Sequence, residues 1–181
     1  MDEKLYDVNS VEYDNKTPLH YACGNPEEKI IERLLKEPNI DVNICDRNGN
    51  TPFHIAAESY SKEVIELLLN DSRVLRNPVN KKGETPIIRF LIFSYKCNDC
   101  FKLFVDDDKV DIHAKDKSHK SVLFYAAGYS AEAVSLIIDK CKDEINEKTT
   151  ELNTPLHNAC MREDLEIVKL LLKVPGIKVN E

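Results

Sequence analysis

One seven-residue pattern recurs five times in this chain and constrains its fold more than any other feature. Each copy begins with Thr or Ser, Pro usually comes next, and a short apolar stretch follows. The copies occupy residues 17–23, 51–57, 85–91, 121–127 and 154–160, so their starts are 34, 34, 36 and 33 residues apart. A fixed period of this size predicts stacked repeats, each of which contacts only its neighbours. We therefore expect an elongated array whose function depends on its surface.

The second copy shows how one repeat is built. Thr51 is a good helix N-cap, and Pro52 suits the first helical position because it has no N–H group to leave unpaired. Residues 53–57 predict a short first helix, and apolar residues at helical spacing in 64–69 predict a second. Similar second helices are predicted within 30–35, 100–104, 134–138 and 167–172. The second residue of the extended pair that opens each copy lies 8 residues before the cap in every case (9, 43, 77, 113 and 146), which predicts connecting hairpins of one length.

The stretches 17–20 and 154–157 read Thr-Pro-Leu-His and 51–54 reads Thr-Pro-Phe-His, and this pattern resembles the ankyrin repeat over essentially the whole chain. The resemblance implies an all-α solenoid of stacked helix–turn–helix units joined by short β-hairpin loops. It divides the chain into repeats at about 7–40, 41–74, 75–110, 111–143 and 144–176, with 177–181 starting a further repeat. It also implies that His20, His54 and His157 hydrogen-bond the Thr and the loop backbone rather than a metal. Because no polar closing repeat follows, we expect a longer array or a covered end.

The third copy departs most from the pattern. Ile88 replaces the usual His, and Phe90 and Leu91 replace two small residues. One interpretation is drift that neighbouring changes compensate; the other is a bend, or extra apolar surface for a partner. About two additional residues between its helices, around 93–96, account for most of its longer period.

Composition argues against several classes of protein. The net charge of −7 and the isoelectric point near 5.3 are not typical of a nucleic-acid-binding protein, which is usually basic. No apolar run reaches the length of a membrane span, so we expect no membrane insertion. The first ten residues include several charged side chains and do not resemble a signal peptide. The spacing of the six cysteines matches no disulfide framework, which predicts reduced thiols in an intracellular, cytoplasmic setting. Cys23 and Cys160 fill a slot that Ala57 holds elsewhere, where a small side chain packs.

No motif predicts catalysis, so we expect no enzymatic activity, no cofactor and no metal. Cys97 and Cys100 form a CxxC pair, but a zinc site normally needs a second close pair, and Cys141 and His113 are distant. The plainer interpretation places Cys100 in the second helix and Cys97 in the preceding loop. Residues 106–108 are three aspartates without the alternation, the Gly and the Glu of a calcium loop. A solvated turn is the simpler interpretation of that run.

The resemblance implies a concave face lined by the hairpin tips and the first helices. The positions that it places on or beside this face are Tyr21, Ile55, Arg89, Phe93, Tyr125, Tyr129, Asn158 and Arg162. Aromatic residues and Arg are common at interface hot spots, which favours a protein or peptide partner, although exposed Tyr is also ordinary on any surface. The predicted function is therefore that of a monomeric, non-catalytic recognition module. Two alternatives stay open: the targeting segment of a larger enzyme, and metal or redox sensing through Cys97 and Cys100.

Charge is unevenly distributed along the chain. Residues 1–50 hold 6 basic and 11 acidic side chains, whereas residues 76–120 hold 10 basic and 7 acidic ones. Several basic residues of the second region fall at predicted hairpin tips: Lys81, Lys82, Lys115, Lys117 and Lys120. They would steer an acidic partner toward the array, or they would only keep the tips soluble.

Overall fold

The computed structural model describes residues 7–93 and 97–180, and within these ranges it contains helices and turns but no β-strand. The ten α-helices are α1 Pro18–Gly24, α2 Glu28–Leu35, α3 Pro52–Glu58, α4 Lys62–Asn70, α5 Pro86–Phe93, α6 Asn98–Asp106, α7 Val122–Ala126, α8 Ala131–Ile137, α9 Pro155–Met161 and α10 Leu165–Leu172. Short 3-10 helices cover Tyr13–Asn15 and Lys142–Glu144. The predicted all-helical fold is confirmed, and each predicted repeat contains one pair of α-helices.

Local capping explains where the first helices begin. In α3 the Thr51 backbone N–H donates to His54 Nδ1 at 3.0 Å, and Pro52 follows at the first helical position. The same Thr–His arrangement begins α1 and α9. Ser121 caps α7 by accepting the Phe124 N–H at 3.2 Å. These bonds pair N–H groups that a helix N-terminus would otherwise leave unsatisfied.

The helices form two parallel rows. First helices pack on first helices in the order α1, α3, α5, α7, α9, and second helices pack in the order α2, α4, α6, α8, α10. A single apolar core runs between the rows from Leu19 in α1 to Leu171 in α10. Each pair of helices therefore shields the apolar faces of its neighbours, as expected for a stacked array.

The hairpins that join the repeats all close in the same way. The backbone N–H of the first tip residue donates to the carbonyl four residues later, at 2.8–3.1 Å; the donors are Glu12, Asp46, Asn80, Asp116 and Thr149. The predicted constant hairpin length is thus confirmed. The expected β-structure is minimal, because the only bridge within the described residues joins Lys115 and Ser121.

Neighbouring tips are also bonded to one another. Arg47 N–H donates to Asp14 O, Lys81 N–H to Asn48 O, Lys117 N–H to Lys82 O and Thr150 N–H to Ser118 O, at 2.8–3.0 Å. One continuous series of backbone hydrogen bonds therefore links all five tips. This series fixes the spacing of the side chains that the tips carry.

The third repeat accommodates its bulky residues in the core. Phe90 is fully buried, and its ring centroid lies 5.4 Å from that of Phe104 and 5.8 Å from that of Tyr129. Leu91 is only 6% exposed. This favours compensation by neighbouring residues over extra apolar surface at these two positions. The predicted insertion falls largely on 94–96, outside the described residues.

Candidate partner-binding surface

The recurring histidines join consecutive repeats. His54 Nε2 lies 3.0 Å from the Glu84 carbonyl oxygen, and His20 Nε2 lies 3.0 Å from that of Asn50. Because the Thr51 N–H donates to Nδ1, the Nε2 of His54 carries the proton and donates to Glu84. Burial lowers the pKa of His54 to about 4 and also lowers the pKa of His20, so both rings stay neutral near pH 7. The predicted structural role of these histidines is confirmed.

The ring of His157 differs because it is exposed. It accepts from the Thr154 backbone N–H at 3.3 Å, as the pattern predicts. Among the described residues, however, no carbonyl meets its Nε2. Cys160 is likewise exposed, although the sequence placed it at a buried helix contact like Cys23. That expectation is wrong for Cys160, since no further first helix packs against α9 in the described part of the chain.

Arg89 is part of the interior rather than a free contact on the concave face. Its side chain is 11% exposed, its Nη1 lies 3.0 Å from Glu84 Oε2, and its Nε lies 2.9 Å from Glu58 Oε1. Two carboxylates therefore hold the guanidinium across the junction of repeats two and three. The expectation that Arg89 is available to a partner has to be corrected, because both of its hydrogen-bonding edges are occupied.

Arg89 belongs to a larger buried polar network. Asn80 Nδ2 donates to Glu84 Oε2 at 2.8 Å and to Asn50 Oδ1 at 3.0 Å, and Asn50 Nδ2 donates to Asp46 Oδ2 at 3.2 Å. The Asp46 and Asn80 side chains also accept backbone N–H groups of their own tips. The network therefore rigidifies two adjacent hairpin tips from inside. Sequence spacing did not reveal it, because its members come from different repeats.

Three further predicted contact residues are engaged within the array. Tyr125 Oη donates to Asp116 Oδ2 at 2.7 Å, and burial together with that carboxylate raises the pKa of Tyr125. Asn158 Nδ2 donates to the Phe124 carbonyl at 2.7 Å, which ties α9 to α7. Tyr129 is only 6% exposed, and burial raises its pKa to about 12. Its predicted place on the concave face is wrong, because its ring packs in the aromatic core.

Other predicted residues do remain accessible. Tyr21 is 43% exposed and Phe93 is 40% exposed, Arg162 is exposed, and Ile55 is half-buried. The guanidinium carbon of Arg89 lies 4.2 Å from the Phe93 ring centroid, which holds that ring against α5. Accessible aromatic surface is therefore present at α1 and at the end of α5.

Sequence reasoning missed one exposed aromatic residue at a hairpin tip. Tyr13 is 77% exposed, and the Arg47 guanidinium lies 5.0 Å from its ring centroid. Tyr13 holds the tip position whose equivalents in the next three repeats are Arg47, Lys81 and Lys117. Aligning the tips position by position would have shown this column of large side chains.

The tip lysines fall into two groups. Lys81, Lys82 and Lys117 are exposed, and none makes an ion pair with another residue of the described ranges. Their backbones are bonded, since Lys117 N–H donates to Lys82 O at 3.0 Å. We call these three side chains the basic tip patch. Lys115 differs, because its Nζ lies 2.6 Å from Glu147 Oε1.

The CxxC pair is oxidised in this structure. Cys97 and Cys100 form a disulfide at the start of α6, so the expectation of reduced thiols is wrong for this pair. Cys100 is buried in the second-helix position, as expected. The thiols of Cys23 and Cys141 are buried, and those of Cys45 and Cys160 are exposed. The intracellular setting inferred from the cysteines stays a prediction.

The aspartate run 106–108, which begins at the last residue of α6, serves ion pairs rather than a calcium loop. Arg76 Nε lies 2.9 Å from Asp107 Oδ2, with both side chains largely buried, and Lys102 Nζ lies 2.6 Å from Asp106 Oδ2. Arg76 also donates to the carbonyls of Asp71 and Val74. The run therefore stabilises the end of repeat three.

Stacked helix pairs, a continuous core and bonded hairpin tips define a helical repeat solenoid. The chain belongs to the ankyrin repeat family: a family model described as ankyrin repeats (3 copies) matches residues 2–78, 28–116 and 88–181. No curated protein matches the chain. Members of this family are generally non-catalytic modules that bind other proteins. Within the described ranges, every helix is too short or too polar to cross a bilayer.

Proposed function

We propose that this array is a non-catalytic module that binds an acidic segment of a protein partner on the face formed by its hairpin tips and first helices. The observation that carries the proposal is the basic tip patch. Lys81, Lys82 and Lys117 project from two adjacent tips of a chain whose overall charge is −7. A local positive region on a negative molecule attracts acidic segments and repels basic ones, which favours both encounter rate and selectivity.

The backbone of the patch supports recognition because it is rigid. The tips of repeats three and four are bonded through Lys117 N–H and Lys82 O, and a Cβ added at Gly83 would lie only 2.8 Å from Lys117 N. The tips are therefore in direct contact. Little backbone entropy is lost when a ligand binds to a surface that is already ordered.

Exposed aromatic residues of the first-helix row supply anchors in repeats one and three. Tyr21 belongs to α1 and Phe93 to the end of α5, and each exposes about two fifths of its surface. Large, rigid aromatic side chains bury much area for little loss of rotamer entropy, and they dominate many interfaces. In this proposal the lysines attract the partner and the aromatic residues hold it.

A peptide-display selection tests the proposal and does not require the identity of the partner. A random peptide library is selected on the immobilised chain and on a charge-reversed variant, K81E/K82E/K117E. We expect wild type to enrich peptides rich in Asp and Glu, with affinities that fall as salt rises, and the variant to lose them. A matched control, K36E/K62E/K173E, changes the net charge equally at exposed lysines of the second-helix row.

The control separates a specific face from general charge. Retention of the acidic peptides by the control and their loss from the tip variant supports the assignment. Equal loss in both variants, or selection of peptides without acidic bias, contradicts it. Circular dichroism of each variant confirms that the array is still folded.

A further inference from the structure

Four equivalent asparagines, which we call the asparagine ladder, make the same pair of hydrogen bonds at the other junctions between repeats. The fourth repeat lacks this asparagine. Asn9, Asn43, Asn77 and Asn146 each donate through Nδ2 to a carbonyl of the following segment and accept a backbone N–H through Oδ1, at 2.7–3.0 Å. His113 occupies the corresponding position in the fourth repeat. Its backbone N–H donates to Asp111 Oδ1 at 2.9 Å, as that of Asn43 does to Asp41 Oδ1. The backbone is therefore the same, and only the side-chain chemistry has changed.

The His113 side chain turns to two potential metal ligands. Its Nδ1 lies 2.5 Å from Glu144 Oε1 and 4.0 Å from Cys141 Sγ, and one ligand atom from each of the three residues lies within 4.8 Å of the others. Cys141 is 1% exposed and Glu144 is 7% exposed, whereas 55% of the His113 side chain is accessible. The Cys141 and Glu144 side of the cluster is therefore buried in protein, whereas the His113 side is accessible to solvent.

Glu144 also carries an unsatisfied acceptor. Its Oε2 is buried and makes no hydrogen bond within the described ranges. Because only 9% of the side chain is exposed, solvent does not readily supply the missing donor. Both oxygens belong to one carboxylate, so Oε2 lies beside the same cluster as Oε1. A buried carboxylate oxygen without a donor is costly and calls for a cation or another partner. The contact between His113 Nδ1 and Glu144 Oε1 accounts for Oε1 alone.

The charges around the cluster favour a cation as well. Asp111, Glu144 and Glu147 act on the Cys141 thiol from nearby, against the single positive charge of Lys140. The nitrogen, sulfur and oxygen donors form a set of intermediate softness, which suits zinc better than calcium or magnesium.

We propose that His113 Nδ1, Cys141 Sγ and the Glu144 carboxylate form a binding site for a divalent transition-metal ion, zinc above all, at the junction of repeats four and five. Tetrahedral zinc with bonds of about 2.0–2.3 Å holds its ligand atoms roughly 3.5 Å apart. The separations of His113 Nδ1 from Glu144 Oε1 (2.5 Å) and from Cys141 Sγ (4.0 Å) lie on either side of that value, so the side chains would have to rotate to coordinate the ion. The Cys141 thiol releases its proton to buffer as the metal–sulfur bond forms. Three protein ligands leave a position for water or for a side chain of a partner.

Cobalt and zinc titrations of the full chain test the site. The protein is prepared metal-free under inert gas without reductant, so that the Cys97–Cys100 disulfide stays closed. Co²⁺ should give a thiolate-to-cobalt charge-transfer band that saturates at one ion per chain, and Zn²⁺ should displace it. The thermal midpoint of unfolding should rise with Zn²⁺, because the ion binds only the folded chain.

The decisive variant is His113→Asn, because four equivalent positions already hold Asn in the same turn. It should fold at least as well as wild type and should weaken zinc binding by at least about tenfold, since even the loss of an outer-shell partner costs that much. Cys141→Ser should remove the charge-transfer band. Controls are Cys45→Ser and His119→Asn, both at exposed positions, and the double variant C97S/C100S. All three should bind as wild type does.

The outcomes are distinct. One Co²⁺ per chain that depends on His113 and Cys141 but not on the controls supports the site. The proposal is overturned if wild type shows no saturable band, if His113→Asn binds normally, or if C97S/C100S abolishes binding.

Discussion

Replacing Arg89 with Met tests whether the buried polar network holds repeats two and three together. The substitution keeps the length and apolar stem of the side chain but removes the guanidinium. Glu84 would then remain 7% exposed at its side chain without its cationic partner, while Glu58, at 26%, could turn to solvent. The perturbation therefore isolates one buried carboxylate.

The expected loss follows from that burial. Breaking a buried ion pair by removing one partner typically costs about 3–5 kcal/mol, because a buried charge is left uncompensated. We expect about 3 kcal/mol, the lower end, since Asn80 Nδ2 still donates to Glu84 Oε2 at 2.8 Å. Adding Glu84→Gln to Arg89→Met should restore much of the loss, because the stranded charge is then gone. Arg47→Met is the matched control: its pair with Asp14 has side chains 61% and 43% exposed, and such pairs contribute about 1 kcal/mol or less.

Urea unfolding at neutral pH measures these differences. Far-ultraviolet circular dichroism follows the helices, and tyrosine fluorescence gives a second probe because the chain has no Trp. Coincident transitions justify a two-state free energy, whereas separated transitions would locate the break between repeats. The reasoning is refuted if Arg89→Met costs no more than Arg47→Met, or if Glu84→Gln fails to recover stability.

Two further predictions concern the histidine column and the hairpin tips. His54 stays neutral in the folded chain because burial lowers its pKa to about 4, whereas the unfolded chain takes up a proton near the ordinary histidine pKa of 6.5. The contribution of neutral His54 to the free energy of unfolding is therefore complete above pH 6.5 and falls by about 3 kcal/mol as the pH drops to 4. The urea midpoint of His54→Gln should therefore vary less with pH across this window than that of wild type. Equal pH dependence of the two midpoints would contradict the assignment. Gly83 at a hairpin tip and Gly176 in the turn after α10 have φ of +80° and +83°; a Cβ at Gly83 would lie 2.8 Å from Lys117 N of the next tip, whereas a Cβ at Gly176 would meet no atom within 4 Å. Both Ala variants should lose about 1–2 kcal/mol from backbone strain, and thermal unfolding should show a larger loss for Gly83→Ala; equal losses would argue against tight tip contact.

Much of the fold could be predicted from sequence because its determinants are local and repeated. Thr at the cap, Pro after it and the apolar spacing of 64–69 act within one helix or its immediate neighbour. The hairpins have one length because the same backbone hydrogen bond closes each of them. The role of His54 was implied by the family resemblance, and the structure shows the corresponding contact between its Nδ1 and the Thr51 N–H three residues earlier.

The candidate surface was harder to predict because exposure depends on residues about 30 positions away. Arg89 looked available until Glu58 and Glu84 were placed beside it. Tyr129 looked like a surface aromatic, but Phe90 and Phe101 of the preceding repeat cover it. A period identifies equivalent positions, yet it does not show which neighbours differ at each of them. Burial at a given slot therefore needs coordinates.

Departures from the repeat pattern differ in whether the rest of the molecule compensates for them. Phe90 replaces a small residue, and the core absorbs it completely, with stacked aromatic rings and no exposed surface. His113 replaces a ladder Asn and contacts Glu144 Oε1 instead, while Oε2 of the same buried carboxylate meets no donor within the described ranges. At the other junctions, Asn at this position satisfies two backbone groups of the next repeat. An uncompensated polar substitution at an otherwise regular junction is therefore the stronger indication of a ligand, and a bound cation would supply the partner that the fourth junction lacks.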